Sequence, residues 1–304
     1  MEIQKIEGLL GDICGPGKVT TGAMMQSHTY FKIGGPADLL VTPTSVGEVK
    51  AIIDLCRVHE IPYMVIGNGT NLLVSDKGIR GLVIKIAEGF DGCKVEGNTI
   101  TASAGILLSN LAKVAMNHEL GGFEFASGIP GTIGGAIVMN AGAYGGEMKD
   151  VVKSVTYIDE DGTLVTLPAE AMAFDYRKSI ISGTKRVVLE VVMQFESKPK
   201  DEIKAIIDEL TEKRTSKQPL ELPSAGSTFK RPPNNYAGKL IEDAGLRGLR
   251  HGDAQVSEKH CGFVVNRGKA TANEVEALIK IVQKTVYDKF DVLLEPEVKI
   301  IGER

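Results

Sequence analysis

The sequence has no tryptophan, and aromatic residues make up only 5% of the chain. This scarcity argues against the aromatic surface on which single-stranded nucleic acids stack. The sequence also lacks a basic excess, since its formal net charge is −4. The protein therefore has no excess of positive charge to bind a phosphate backbone, and we expect no nucleic-acid partner.

The four cysteines are scattered, with no C-x-x-C pair. They and the five histidines form no zinc-like pattern, so we expect no bound metal and reduced thiols. No apolar run reaches the roughly 18 residues of a membrane span, and the N-terminus has early acidic residues, unlike a signal peptide. We therefore expect a cytoplasmic protein with no membrane association and no obligate protein partner.

The common nucleotide-binding motifs are also missing. No G-x-G-x-x-G follows a predicted strand, and Val19 follows Gly17-Lys18 where a P-loop needs serine or threonine. Ser227-x-x-Lys230 matches the S-x-x-K of penicillin-binding enzymes, but no K-T-G triplet accompanies it. The sequence therefore argues against an ordinary Rossmann dinucleotide site, a P-loop and a β-lactam-binding enzyme.

What the chain does contain is a glycine-rich run from Gly121 to Gly146, with nine glycines set among apolar residues. Glycine in an apolar setting indicates positive φ or a close approach of the backbone. Free N–H groups at such glycines can hold phosphate, most often where a helix begins. A tight turn would explain one or two of them. A phosphate-bearing cofactor explains them better as a set: Gly128, Gly131, Gly134, Gly135 and Gly142.

A second glycine loop, from Gly67 to Asn71, follows the predicted strand PYMVIG. Its backbone N–H groups and its Asn and Thr side chains could all donate to a pyrophosphate. Alone, this loop could equally be a plain turn. Two glycine loops in one domain suit a dinucleotide.

The remaining pattern predicts an α+β fold. Strand–helix–strand covers residues 30–73, and Gly97-Asn98 and Asp161-Gly162 mark hairpin turns. Ser45-x-x-Glu48 and Thr271-x-x-Glu274 are capping boxes that begin helices. Residues 1–27 predict a helix followed by irregular chain. The composition changes near residue 198, so we place one domain at 1–205 and a second at 206–304.

Three polar segments could carry chemistry: Tyr176-Arg177, Gly226–Lys230 and Glu295–Glu297. An arginine can hold a carboxylate bidentately, and a serine beside a cation can deliver a proton if that proton is replaced. Each residue alone could be a surface charge or a cap. Spacing does not show that the segments meet.

Seven motifs in order resemble the family of UDP-N-acetylenolpyruvoylglucosamine reductases: GNGTNLL, GIPGTIGGAIVMNAGAYGG, YRKS, SAGSTFKRPP, AGKLIEDAGLRG, VSEKHCGFVVN and EPEVKIIGE. The resemblance runs from about residue 28 to the C-terminus and fits the shorter subtype, without a long insertion in the substrate domain. It implies an FAD-binding domain of the vanillyl-alcohol-oxidase (PCMH) type, with its core at about 33–198. A smaller α+β substrate-binding domain would follow.

The resemblance also implies an activity. NADPH would reduce a non-covalently bound FAD, and the hydride would pass to the enolpyruvyl group of a UDP-sugar, giving UDP-N-acetylmuramate for peptidoglycan. Ser227 would protonate the resulting enolate, while Arg177 and Glu297 stabilise it. Substrate-binding candidates are Tyr176, Lys217, Gln218, Lys230 and Arg231. The implied FAD-binding residues are Gly67, Asn68, Gly69, Thr70, Asn71, Leu72, Ser127, Gly128, Pro130, Gly131, Gly134, Gly135, Asn140, Ala141 and Gly142.

Two alternatives stay open at this point. One is an oxidase of the same flavin fold that uses oxygen and another substrate. The other is a non-catalytic module that binds a nucleotide sugar. A flavin spectrum in the purified protein would argue against the second, and slow reoxidation by oxygen would argue against the first.

Overall fold

The computed structural model describes residues 3–304 and divides the chain into two compact units. The first unit comprises the residues up to Thr21, Leu39–Asn68 and Gly81–Arg214. The second comprises Gly22–Asp38, Gly69–Arg80 and Thr215–Arg304. The units therefore interleave along the chain, whereas the sequence-based domains, 1–205 and 206–304, are contiguous.

The helices within residues 3–304 are α1 (Ile3–Cys14), α2 (Val46–Val58), α3 (Leu108–Asn117), α4 (Ile133–Met139), α5 (Lys200–Lys217), α6 (Ala237–Asp243) and α7 (Ala272–Phe290). Short 3-10 turns lie at Met25–Ser27, Glu124–Ala126, Met148–Asp150 and Ala169–Met172. The strands are β1 (Val19–Met24), β2 (Pro36–Val41), β3 (Tyr63–Ile66), β4 (Leu72–Val74), β5 (Ile79–Lys85), β6 (Cys93–Glu96), β7 (Thr99–Ser103), β8 (Leu120–Gly121), β9 (Gly142–Ala143), β10 (Gly146–Glu147), β11 (Val152–Ile158), β12 (Leu164–Pro168), β13 (Val187–Gln194), β14 (Glu196–Ser197), β15 (Arg250–His251), β16 (Ala254–Val256), β17 (Val264–Asn266) and β18 (Lys299–Ile301).

The first unit is built on an antiparallel five-stranded sheet with the order β12-β11-β13-β7-β6. The turns at Gly97-Asn98 and Asp161-Gly162 join β6 to β7 and β11 to β12, which confirms both predicted hairpins. A four-stranded sheet has the order β1-β2-β5-β3, and its β3–β5 pair is parallel. Apolar residues at alternating or helical spacing fill the core between these sheets and α1–α4.

The second unit has its own core, to which Phe31, Leu73, Leu278 and Leu294 contribute fully or almost fully buried side chains. Helices α6 and α7 belong to it, together with the antiparallel sheet β15-β16-β17. The last strand, β18, pairs in parallel with β4. The core thus joins residues that are more than two hundred positions apart in sequence.

Helix α7 begins with the predicted capping box. The Thr271 hydroxyl accepts from the Glu274 N–H, and the Glu274 carboxylate accepts from the Thr271 N–H. Asp76 adds a second cap, since its carboxylate accepts from the N–H groups of Ala272 (2.8 Å) and Asn273 (3.1 Å). Four backbone N–H groups at the beginning of the helix therefore donate to side chains, and two carboxylates lie at the positive end of its dipole.

Two local predictions differ from the structure. Val19–Met24 is strand β1 rather than irregular chain, and its mostly exposed residues explain why no apolar alternation marked it. At α2, the Ser45 hydroxyl caps the Glu48 N–H as predicted. The Glu48 carboxylate, however, accepts from the Thr44 N–H at 2.8 Å instead of completing the box at Ser45.

Candidate functional site

A cavity of about 260 Å³ lies within the first unit. Its walls are the strand Tyr63–Ile66 with Gly67, the first residues of α4, and the segment from Ile181 to Val188. Most of the lining is apolar, with Val65, Ile86 and Val187 among it. The volume is below the roughly 300–1,000 Å³ of pockets that bury a whole drug-sized ligand, so it suits one part of a dinucleotide.

The loop after β3 packs against the Gly121–Gly146 run. A Cβ at Gly67 would collide with the Thr132 hydroxyl, so only glycine allows the two segments to approach this closely. Asn68 donates from Nδ2 to the carbonyl of Pro130 at 2.9 Å. These contacts bring together two segments that the sequence assigned to one cofactor.

Two glycines at the beginning of α4 have different surroundings. Gly134 is buried, its N–H donates to Ala104 at 2.9 Å, and a Cβ there would stand 2.9 Å from the Ala104 methyl. Gly135 lines the cavity and is exposed, and a Cβ there would meet nothing nearer than 3.6 Å. Gly134 thus serves close packing, whereas Gly135 keeps a cavity wall free of side chain.

Unpaired backbone donors lie along the same run. The N–H groups of Gly128, Gly131 and Thr132 find no acceptor among residues 3–304. Pro130 between them has no N–H to contribute. By contrast, the Ser127 hydroxyl donates to the Glu124 carbonyl at 2.8 Å, so this side chain is bound within the chain. The donors are of the kind that hold anions.

Arg214, in α5, lies beside these donors. A Cβ at Gly128 would be 3.0 Å from Arg214 Cδ, so the glycine allows the arginine stem to pack against the backbone. Within the described chain the guanidinium has no hydrogen bond or ion pair, and burial lowers its pKa. A partly buried cation without a partner calls for an anion. Nothing in the local sequence distinguishes Arg214 from other arginines, so it is not among the residues predicted from the sequence.

Asn140, Ala141 and Gly142 shape the end of the run. Asn140 is fully buried in a left-handed conformation, and its amide binds Glu147, the Asp175 carbonyl and the Lys149 N–H. The Ala141 N–H donates to the Ala136 carbonyl, and the Ala141 carbonyl accepts from the Met148 N–H. A Cβ at Gly142 would stand 2.6 Å from the Gly146 carbonyl. All three positions hold the β9–β10 hairpin in place.

Arg177 occupies a strained turn. Asp175 and Lys178 exchange backbone hydrogen bonds of 3.0 and 3.1 Å, and Arg177 between them has a φ of +56°. A residue other than glycine is uncommon in this conformation and persists only where the surrounding structure holds it there. Its guanidinium donates to the Gly142 carbonyl at 3.3 Å and lies 5.1 Å from the exposed ring of Tyr176. The turn therefore holds the guanidinium beside the β9–β10 hairpin.

The rest of the Gly67–Asn71 loop belongs to the second unit. Gly69 has a φ of +64°, and a Cβ there would collide with the His28 carbonyl. The N–H groups of Gly69 and Thr70 find no acceptor in the described part of the chain. Asn71 donates from Nδ2 to the Glu297 carbonyl at 3.2 Å, and Leu72 begins β4.

The segments that carry Ser227 and Glu297 are joined within the second unit. The Glu297 N–H donates to the carbonyl of Thr228 at 2.8 Å, and Phe229 bridges Pro296 in antiparallel fashion. Ser227 is exposed, and its hydroxyl has no hydrogen-bond partner among residues 3–304. Backbone hydrogen bonds and one isolated bridge therefore join two of the three polar segments singled out in the sequence.

The substrate-binding candidates of the second unit differ in their contacts. Lys230 forms an ion pair with Glu295. Arg231 stacks on the Tyr236 ring, with Cζ 4.1 Å from its centroid. Lys217 is exposed at the end of α5, and the buried Gln218 Oε1 has no partner within residues 3–304. This unpaired oxygen could accept a hydrogen bond from a donor group of a ligand.

None of the described helices combines the length and apolar character that a membrane crossing requires.

Comparison with known proteins adds to this geometry. Residues 218–301 match the family model described as UDP-N-acetylenolpyruvoylglucosamine reductase, C-terminal domain, and residues 37–168 match an FAD binding domain. The chain is 54% identical over 295 residues to UDP-N-acetylenolpyruvoylglucosamine reductase of Caldanaerobacter subterraneus subsp. tengcongensis, which covers 97% of each protein.

Solved structures agree. UDP-N-acetylenolpyruvylglucosamine reductase from Thermus caldophilus is similar with a TM-score of 0.80 and 37% identity, over 91% of this chain and 97% of that one. Alkyldihydroxyacetonephosphate synthase shares the fold at 18% identity and a TM-score of 0.50, over 64% of this chain and 40% of that one. The predicted α+β architecture with an FAD-binding domain of the vanillyl-alcohol-oxidase type is confirmed.

Proposed function

The chain belongs to the UDP-N-acetylenolpyruvoylglucosamine reductase family, and from that premise we propose which of its residues hold the cofactor and perform the reaction. It is an FAD-containing oxidoreductase of peptidoglycan synthesis that uses NADPH to reduce the enolpyruvyl group of its UDP-sugar substrate. The product is UDP-N-acetylmuramate. We place this activity in the cytoplasm, with no obligate protein partner.

The first unit holds FAD. The apolar cavity walls at Val65, Ile86 and Val187 suit a flat ring such as adenine, and Gly135 lets it approach the backbone. The free N–H groups at Gly128 and Gly131, with Arg214 beside them, suit an anionic part of the cofactor. An extended dinucleotide lying along the run from Gly128 to Gly135 would meet both.

Binding is non-covalent. The residues that line the cavity include no histidine or cysteine to which a flavin could be linked. When bound, FAD carries the hydride from NADPH to the substrate, and the protein supplies orientation, charge and a proton. Acid precipitation should therefore leave all the yellow colour in the supernatant.

Arg177 stabilises the negative charge of the enolate. Its side chain is presented by a turn that two backbone hydrogen bonds and the packed hairpin hold in a left-handed conformation. A guanidinium is always charged and binds a carboxylate or enolate oxygen through parallel donors. Because the backbone is fixed in advance, little reorganisation accompanies charge development.

Ser227 protonates the enolate carbon, and this assignment rests on one observation. The exposed hydroxyl has no partner in the described chain, yet the Thr228–Glu297 backbone hydrogen bond joins its segment to the segment that carries Glu297. Glu297 assists as a protonated acid or through a shared proton, since a bare carboxylate would repel the enolate. Lys230 is paired with Glu295, so its charge is partly balanced rather than wholly available to activate the serine.

The test separates the two half-reactions. Ser227→Ala should bind FAD and be reduced by NADPH at near the wild-type rate, because that step needs no proton from this hydroxyl. Its reoxidation by the UDP-enolpyruvyl substrate should slow by at least about 100-fold, as for a lost general acid. Ser227→Cys should recover part of the loss. Equal slowing of both halves would show that Ser227 shapes a shared pocket instead.

The same experiment addresses the two alternatives. In the wild-type protein, reduced flavin that reacts rapidly with oxygen and not with the UDP-sugar would favour an oxidase. A colourless protein that binds the UDP-sugar without turnover would favour a binding module. Fast NADPH reduction followed by fast substrate-dependent reoxidation excludes both.

A further inference from the structure

The chain makes a compact turn between Lys230 and α6. Pro232 and Pro233 restrict the backbone, and the Asn235 N–H donates to the Pro232 carbonyl at 3.3 Å. Arg231 Nε donates to the Asn235 carbonyl at 3.3 Å, and the Tyr236 N–H donates to the Asn235 side chain at 2.8 Å. The turn is therefore held by its own hydrogen bonds, and the backbone that carries Arg231 and Tyr236 is fixed.

Tyr236 is the large side chain that this turn leaves in solvent. The residue is 60% exposed, more than any other aromatic residue among positions 3–304. The Arg231 guanidinium lies 4.1 Å from the ring centroid and covers one side of the ring. A similar pair elsewhere, Arg186 on Tyr157, is part of the core, with the tyrosine only 2% exposed. The Tyr236 ring thus offers a rigid, exposed aromatic surface beside a cation.

The position of the turn links this surface to the reaction. It follows directly after Phe229, which forms an isolated bridge with Pro296, and Lys230, whose N–H donates to the Glu295 carbonyl at 2.8 Å. Ser227 lies just before Phe229, at the other end of the same segment. Proton donor and aromatic surface are therefore carried on one short, doubly anchored segment of the second unit. Ser227 acts only on the enolpyruvyl substrate, so this segment serves the half-reaction with the sugar nucleotide.

We propose that the Tyr236–Arg231 pair binds the uracil base of the UDP-sugar. The base stacks on Tyr236, and Arg231 adds its positive charge near the pyrophosphate of the same ligand. Stacking on the π-face of uracil supplies affinity. The uracil base lies at the far end of the substrate from the reacting double bond. The pair is a binding element and takes no part in proton or hydride transfer. The inference rests on the proposed function, which names the UDP-sugar.

The direct test compares two ligands that differ by the base. Calorimetric titration of the oxidised holoenzyme with uridine 5′-monophosphate and with ribose 5-phosphate gives the contribution of uracil. In Tyr236→Ala this contribution should fall roughly 5- to 150-fold, the range for a lost base–aromatic stack. Tyr236→Phe should keep it, because the ring remains. Tyr287→Ala is the matched control, since Tyr287 is 51% exposed on α7 of the same unit.

Kinetics provide the second readout. Tyr236→Ala should raise the substrate concentration at half-maximal flavin reoxidation, leave the rate at saturation unchanged, and leave reduction by NADPH unchanged. An unaltered uracil contribution would overturn the inference. Loss of adenosine 5′-monophosphate or NADPH binding in place of uridine binding would overturn it as well, because the surface would then serve adenine. If wild-type flavin is not reoxidised by the UDP-sugar at all, the proposed function itself fails, whatever Tyr236 does.

Discussion

Arg214 leads to a prediction in which two effects have opposite signs. Replacing it by methionine keeps an unbranched side chain of similar length against Gly128 and removes the unpaired charge. In the protein without FAD, the guanidinium is partly buried without a partner, so its removal should not weaken folding. Solvent reaches part of the side chain, and screening should limit the gain in unfolding free energy to about 1 kcal/mol.

The effect on the cofactor should be unfavourable. A hydrogen bond to a charged group contributes about 1.5–3 kcal/mol, which corresponds to a roughly 10- to 150-fold rise in the Kd for FAD. The Kd of Arg214→Lys for FAD should lie between those of the wild type and Arg214→Met, because lysine keeps the charge but lacks the planar guanidinium. Arg57→Met is the control in the same unit, since Arg57 is paired with Asp54 at the surface of α2 and should leave FAD binding unchanged.

Two measurements check this reasoning. Titration of apoprotein with FAD, followed by quenching of flavin fluorescence, gives the Kd. Urea unfolding of the apoprotein gives the free energy. An unchanged Kd would refute the cofactor role of Arg214. A large loss of apoprotein stability would show that the guanidinium serves the fold instead.

Two further predictions concern the glycine run and the thiols. Gly135→Val should give folded apoprotein that does not retain FAD, whereas Gly134→Ala should lower apoprotein stability by about 1–3 kcal/mol through overpacking against Ala104. Circular dichroism and flavin content distinguish the loss of FAD from the loss of stability. If Gly135→Val binds FAD at full stoichiometry, the glycine run is only a turn and does not hold the cofactor. Burial raises the pKa of Cys56 to about 12, so this thiol stays neutral in the folded state and ionises in the unfolded chain above its ordinary value of 9.0. Its contribution to stability is present below pH 9 and is lost as the pH rises toward 12, a slope that Cys56→Ala should reduce in urea unfolding measured against pH.

The sequence predicted local structure well where a local signal exists. The two hairpin turns and the Thr271 capping box follow from side chains that act on their own backbone, and the structure confirms them. Strand β1 escaped prediction because its polar residues carry no apolar alternation. The seven motifs gave the family, which the comparisons confirm.

The candidate site was only partly accessible to this reasoning. Glycines cannot be divided from sequence into those that pack, such as Gly134 and Gly142, and Gly135, which lines a cavity. Arg214 is one of 35 basic residues, and only tertiary packing against Gly128 distinguishes it. The roles assigned to Arg177, Ser227 and Glu297 stay predictions, although the strained turn and the bridged segments give them a physical basis.

The interleaved composition of the second unit sets an order on its assembly during synthesis. Phe31 and Leu73 leave the ribosome early, but their core partners Leu278 and Leu294 come last, as does β18, which pairs with β4. The early segments must therefore wait, with apolar surface exposed, until nearly the whole chain has been made. The first unit needs no residue beyond Arg214 and can begin to fold sooner. Nascent chains that stall before α7 should accordingly bind chaperones through residues 22–38 and 69–80.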